Sequence, residues 1–161
     1  MKRIAFGYKM RCGKDTAVEY LVNKYGGTRI SFADPLYEIL HYAQDVCGFE
    51  SGKDRKFLQF IGTEWAREKN NNVWIDILVK KSRETKGNVY VSDVRFRNEF
   101  DAMRKNNFVL VKVNRGGVEV NNHSSEIELD GVPDYDWDFV LDNDGTLEEF
   151  YSKIDLCLNN I

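Results

Sequence analysis

Five short apolar runs punctuate the chain, and between them apolar residues recur every three or four positions. A short run ending in a glycine or polar turn is the pattern of a strand buried on both faces. The three-to-four spacing is that of an amphipathic helix. Arg3–Gly7 is the first strand-like run. Lys14–Lys24 follows as a helix, with Val18, Leu21, Val22 and Tyr25 on one face and Gly26-Gly27 as its stop. Thr28–Phe32 alternates and is β-branched, which predicts a second strand. Asp34-Pro35 reads as a helix start, with aspartate as N-cap and proline at the first helical position. Leu36, Ile39, Leu40, Ala43, Val46 and Cys47 form the stripe that follows. A polar break at Phe49–Lys53 separates this helix from Asp54–Arg67, where Phe57, Leu58, Ile61 and Trp65 keep helical spacing. After Asn70–Asn72 the spacing resumes over Val73–Thr85.

Asn88–Val94 is the third predicted strand, Phe96–Lys105 a short helix, and Phe108–Asn114 a fourth strand. Asp138–Asp142 is the fifth. Thr146 with Glu149 three residues on is a capping box, and it opens a last helix through Leu147, Phe150, Ile154 and Leu158. Gly116–Tyr135 is rich in turn formers and has no period. Loops of that length are usually functional, so residues 115–135 are expected to act as a lid. Strands alternating with helices predict an α/β fold, with a mostly parallel five-stranded sheet covered on both faces. Ligands of such sheets sit beyond the carboxyl ends of the strands. Chemistry is therefore sought just after Phe6, Phe32, Val94, Asn114 and Asp142.

Composition narrows the class. The 161 residues suit one domain, 1–161, and 42% hydrophobic with 30% charged residues excludes a disordered chain. A net charge of −3 argues against a dedicated nucleic-acid binder. No apolar run approaches the ~20 residues of a membrane span, and Ile4–Phe6 is too short for a signal-peptide core. Cys12, Cys47 and Cys157 have no metal-like spacing, so reduced thiols in a cytoplasm are expected. The histidines, His41 and His123, are too few for a multi-histidine metal site.

The strongest motif is Gly7-Tyr8-Lys9-Met10-Arg11-Cys12-Gly13-Lys14-Asp15-Thr16, between a predicted strand and a predicted helix. That is the context of a phosphate loop. Backbone N–H groups wrap a phosphate, the helix N-terminus favours its charge, and Lys14 reaches the β and γ oxygens. Five residues stand between the glycines instead of four, and Asp15 precedes Thr16 where a hydroxyl usually follows the lysine. A carboxylate is also a hard oxygen ligand for Mg²⁺, so Asp15 or Thr16 can carry that role.

A second constellation is Ser92-Asp93-Val94-Arg95-Phe96-Arg97 at the end of a strand. Asp93 sits where a Walker-B-type aspartate holds Mg²⁺. Arg95 and Arg97 carry guanidinium forks suited to phosphate. Asp34 is an N-cap that can also face a second substrate. Arg115 is a candidate for base or phosphate contact, and Asn143, in the turn Asn143-Asp144-Gly145, a candidate border for an adenine. Gln59, Thr63, Trp65, Arg67 and Trp74 form a polar-aromatic group across two helices. The aromatic bulk reads mainly as core, and the polar members as readers of a base edge or a phosphate.

These segments resemble the deoxynucleoside monophosphate kinases of tailed bacteriophages, within the P-loop kinase group. The resemblance is carried by Gly13-Lys14-Asp15-Thr16, Leu58-Gln59-x-x-Gly62-Thr63 with Trp74, and Asp93-x-Arg95-x-x-x-Glu99-x-Asp101-Ala102. It continues through Arg115-x-Gly117, His123-x-Ser125-Glu126 and Asn143-Asp144-Gly145-Thr146-Leu147-Glu148-Glu149. It implies the three-layer α/β/α P-loop fold and transfer of the ATP γ-phosphoryl group to a deoxynucleoside monophosphate. ATP phosphates would lie on the backbone from Lys9 through Arg11, Cys12 and Gly13 to Thr16, with Lys14, Asp93 and Arg95 in the active centre. Mg²⁺ would accompany ATP, near Asp15, Thr16 and Asp93. The acceptor would bind within residues 34–85, where Asp34, Gln59, Thr63, Arg67 and Trp74 lie, with Arg97 beside them. The location would be a host cytoplasm, with a homodimer left open. Two readings stand beside this one. The loop and Asp93 suit a dephospho-coenzyme A kinase-like enzyme equally well. A nucleotide-binding switch or ATPase subunit would need only the loop.

Overall fold

A computed structural model describes residues 1–117 and 127–161. The remaining nine, which include His123, Ser125 and Glu126 of the lid-like segment, lie outside the described residues. The strands are β1 (Arg3–Gly7), β2 (Thr28–Ile30), β3 (Val89–Val94), β4 (Val109–Asn114) and β5 (Phe139–Asp142). They form one sheet in the order β2-β3-β1-β4-β5, and every pairing is parallel. Parallel neighbours need helical crossovers, which cover both faces.

Alternation along the strands divides the core. Ile4, Phe6, Tyr90, Val111 and Val113 point to one face. There they meet Ala17, Val18 and Leu21 of α1 (Lys14–Tyr25) and Phe150, Ile154 and Leu158 of α7 (Leu147–Asn159). Ala5, Ile30, Val89, Val91 and Leu110 point to the other. They pack on Trp74, Ile75 and Leu78 of α5 (Val73–Glu84) and on Phe100 and Met103 of α6 (Arg97–Lys105). The result is the expected three-layer α/β/α fold. Among the described residues no helix is long and apolar enough to cross a membrane.

Three local differences from the sequence reading have physical causes. The second strand stops at Ile30, because Ser31, Phe32 and Ala33 turn to bind a side chain of β3. Asp34 is the first residue of α2 (Asp34–Cys47), not its N-cap; its carboxylate reaches back to the N–H of Ser31 at 3.0 Å. The helix predicted over Asp54–Arg67 is built in three pieces. α3 (Arg55–Gln59) starts on the Asp54 cap, a π-helical turn spans Phe60–Trp65, and α4 (Ala66–Lys69) ends at Asn70. A π-turn adds a residue to the winding and is found mostly at functional sites. The capping box at Thr146 and Glu149 forms as predicted.

Candidate active site

The loop between β1 and α1 is held open by backbone conformation. Tyr8, Arg11 and Gly13 have φ of 97°, 60° and 107°, a left-handed geometry that is costly for the first two residues. At Gly13 a side chain is excluded twice. The φ is positive, and a Cβ would lie 2.4 Å from the amide nitrogen of Asn143. That amide donates to the carbonyl of Cys12 at 2.9 Å. Asn143 therefore braces the loop. Lys14 opens α1 and is only 5% exposed. Its ammonium donates to the carbonyl of Lys9 and lies 3.4 Å from Cys12 Sγ. Lys9 pairs with Asp130 at 3.1 Å, joining the loop to the turn that precedes β5. Burial opposes the charge of Lys9, but Asp130 and Tyr8 outweigh it and raise its pKa. Arg115 stands exposed beyond β4, and the next N–H, of Gly116, donates to Asp144 at 2.6 Å.

Beside the loop a cleft of about 330 Å³ runs from Met10 and Asp15 to the helices α2 to α5. Gln59, Thr63, Arg67, Trp74, Asp93 and Arg95 all line it, as expected for an acceptor site. Arg97 does not. It lies on the outer face of α6, paired with Asp101 at 3.1 Å, so its predicted place in the cleft is corrected. Asp34 does not line the cleft either. It is engaged by Arg29 at 3.4 Å and Lys81 at 3.2 Å, besides the Ser31 N–H. Trp74 is a wall: the ring is buried, and its indole N–H donates to the carbonyl of Gly62 at 2.9 Å.

Asp93 departs most from expectation. Parallel register between β1 and β3 slips between Ala5 and Gly7, so that β3 carries one extra residue there. Such a bulge re-aims side chains. Val94 takes the core place that alternation would give residue 93, and Asp93 turns toward the start of α2. One of its oxygens accepts from the Phe32 N–H at 3.0 Å. The other accepts from the Ser31 hydroxyl at 2.6 Å and the Ala33 N–H at 3.0 Å. Burial pushes its pKa up against these donors and Arg95. Both oxygens thus accept from the turn between β2 and α2, and the residue also lines the cleft.

Arg29, Arg55 and Glu99 are among the cleft residues not singled out as site residues from the sequence. Arg29 faces Asp15 at 3.8 Å as well as Asp34, and so spans the gap between the phosphate loop and α2. Arg55 enters from α3. Glu99 lies at the back, 2% exposed, and pairs with Arg67 at 2.5 Å. Desolvation pushes its carboxyl up to about 7 although Arg67 opposes the shift.

The first turn of α1 carries hard oxygen donors of the kind that bind magnesium. Asp15 is 82% exposed at the first turn of α1, beside the Thr16 hydroxyl. Mg²⁺ takes one or two protein oxygens, phosphate oxygens and water, so this donor set fits it. Among the described residues no group of three or more His, Cys, Asp or Glu could cage a metal by itself.

Comparison with known proteins agrees with this geometry. A family model described as deoxynucleotide monophosphate kinase matches residues 53–154. A protein of Acanthamoeba polyphaga mimivirus, provisionally named a deoxynucleotide monophosphate kinase, is 33% identical over 92% of this chain and 91% of its own length. The deoxynucleotide monophosphate kinase of Enterobacteria phage T4 is 30% identical over 62% of this chain and 43% of its own length. Among solved structures, dephospho-CoA kinase from Campylobacter jejuni superposes with a TM-score of 0.55 at 15% identity, covering 99% of this chain and 97% of that one. Shikimate kinase from Acinetobacter baumannii gives 0.54 at 13% identity, over 99% and 94%. At such identities the structural likeness establishes the fold, and the sequence relatives establish the family.

Proposed function

The chain belongs to the deoxynucleotide monophosphate kinase family, and from that premise we infer how its site works. It phosphorylates deoxynucleoside monophosphates to diphosphates, a step of DNA precursor supply. In this reading ATP is the donor, and its phosphates lie on the backbone of residues 9–16. The observation that carries the reading is the single cleft that begins at Met10 and Asp15 and ends among Gln59, Thr63, Arg67 and Arg95. Donor and acceptor phosphates can meet only where those two ends join.

Phosphoryl transfer depends on position and charge neutralisation more than on covalent help. Lys14 turns from the loop carbonyl to the donor's β and γ oxygens. Asp15 and Thr16 would hold Mg²⁺, which would supply charge neutralisation for the phosphates. Arg95, at the carboxyl edge beside the loop, steadies the transferring group, and Arg29 and Arg67 bind the acceptor phosphate. The acceptor oxygen is already anionic near neutral pH, so no general base is required. Asp93 then acts by shaping the turn Ser31–Ala33 against which the acceptor rests.

The test is incubation of the chain with ATP, Mg²⁺ and each of four deoxynucleoside monophosphates, with ribonucleotides as controls. Deoxynucleoside diphosphate is the expected product. Slow loss of ATP with no diphosphate from any acceptor would overturn the reading in favour of a switch or ATPase.

A further inference from the structure

Arg67 is a long side chain reaching into the cleft from a helix of only four residues, and something else must fix it. Its Nε donates to the carbonyl of Gly62 at 3.2 Å, and one Nη to that of Asn71 at 3.4 Å. The other Nη meets Glu99 Oε1. The guanidinium carbon also lies 4.0 Å from the centre of the Phe96 ring. Glu99 Oε2 meanwhile accepts two backbone N–H groups, from Arg95 at 2.9 Å and Phe96 at 3.1 Å. One carboxylate of α6 therefore holds the guanidinium of α4 and the turn that carries Arg95. A simple helix cap requires only the second of these contacts. A buried carboxylate facing an arginine is costly to desolvate, and stability alone is served as well by an apolar pair.

We propose that Glu99 is a positioning residue for the acceptor, setting Arg67 and Arg95 at a fixed separation so that both address one phosphate-bearing substrate. The proposal rests on the reading that Arg67 and Arg95 face that substrate. It adds a residue that touches neither nucleotide. Glu99 acts on Arg67 through an ion pair and on Arg95 through its backbone, while Phe96 supplies both a bonded N–H and the ring beneath Arg67. The charged side chains acting on Glu99 are Arg67 from α4, which favours the ionised form, and Asp93 from β3, which opposes it.

The experiment compares steady-state kinetics of the full chain with Glu99→Gln, Arg67→Met and the double variant, each with its melting midpoint. Gln keeps one oxygen for the backbone N–H groups but turns an NH₂ toward Arg67, donor against donor. Disrupting one side of a buried charged pair is large enough to expect the acceptor KM of Glu99→Gln to rise at least ~10-fold. The ATP KM should stay within about twofold, because the phosphate loop is untouched. The double variant should be no worse than Arg67→Met alone, since Gln keeps the oxygen that holds the Arg95 turn and no Arg67 is left to position. An unchanged acceptor KM in Glu99→Gln, an equal rise in both KM values, or additive losses in the double variant would each overturn the proposal. If Glu99→Gln alone melts below the assay temperature, the two Met-bearing proteins still decide: a further loss of acceptor affinity in the double variant refutes it. Failure of the parent reading looks different, because wild type itself would then make no diphosphate.

Discussion

The two ends of the cleft are built by opposite means. The end proposed for the donor is bordered by one continuous stretch of chain, residues 7–16, whose shape resides in backbone angles: three positive φ values within six residues, followed at once by a helix. The acceptor end is assembled from β2, α2, α3, α4 and the segment joining β3 to α6. It is held by side-chain bonds between residues far apart in sequence, such as Ser31 to Asp93 and Arg67 to Glu99. A site made of backbone tolerates exchange of most side chains and fails when the chain path changes. A site made of buried polar pairs fails when one partner is exchanged, because the other is left without its bond. In the proposed reading the donor end would therefore be general for nucleotide phosphates, and the acceptor end would carry the selectivity.

Substitutions can break that contrast or sharpen it. The largest effect is expected from Lys14→Ala, which removes the cation at the donor phosphates. Turnover should fall by ~10³-fold or more, while the circular dichroism spectrum stays that of wild type. Turnover near that of wild type would remove Lys14, and with it the donor end, from the mechanism. Arg95→Ala should cost more than ~10-fold in kcat/KM for the acceptor; an unchanged value would place Arg95 outside the site. Gly13→Ala tests the backbone side of the comparison. It forces a side chain onto Asn143 at a positive φ, so stability should drop by ~1–3 kcal/mol and the ATP KM should rise, whereas the acceptor KM should not. Equal rises in both would mean that the two ends are not separable.

A pH profile probes the other side. Glu99 has a pKa raised to about 7, so it is charged above that value and loses its charge as the pH falls through it. Acceptor kcat/KM should then decline on the acid side near pH 7, more steeply in wild type than in Glu99→Gln. Titration of the acceptor phosphate gives a limb common to both proteins, so the difference between profiles is the reading. Parallel profiles would show that the charge is not used. Two smaller effects complete the series. Asp130→Asn frees Lys9 for the donor phosphates, and the ATP KM should fall by no more than about fivefold, a difference that high salt removes. Arg97→Ala should alter neither KM beyond about twofold, because its partner Asp101 lies on the outer face of α6.

The same division explains what could be read from the sequence. Gly13, Lys14, Asp15 and Thr16 stand together, so strand, loop and helix were legible as one motif. So was the capping box at Thr146, whose partners are three residues apart. The cleft-facing positions Gln59, Thr63 and Arg67 were legible because polar residues stood out on an otherwise apolar helical spacing. Arg29 was not, since a lone arginine in a short alternating strand carries no sign of spanning to both Asp15 and Asp34. Nor was the turning of Asp93, which depends on a bulge set by pairing with β1. The sequence of β3 looks regular. Glu99 left a faint trace: an acid at the third helical position is a common cap, and only the arrival of Arg67 from elsewhere gives it a second duty.

The π-turn at Phe60–Trp65 gives the acceptor end a means of change that the donor end lacks. The Ala66 N–H bonds five residues back to Ile61, so this stretch carries more residues per turn than a plain helix. Loss of one residue there would let ordinary winding return while everything beyond it keeps its facing, because the wider turn takes up the extra residue. Arg67 would still meet Glu99 and Phe96, and only the stretch Phe60–Trp65 beside the cleft would be rebuilt. The turn can thus gain or lose a residue beside the cleft without unseating the arginine that follows it, and with the phosphate loop left as it is.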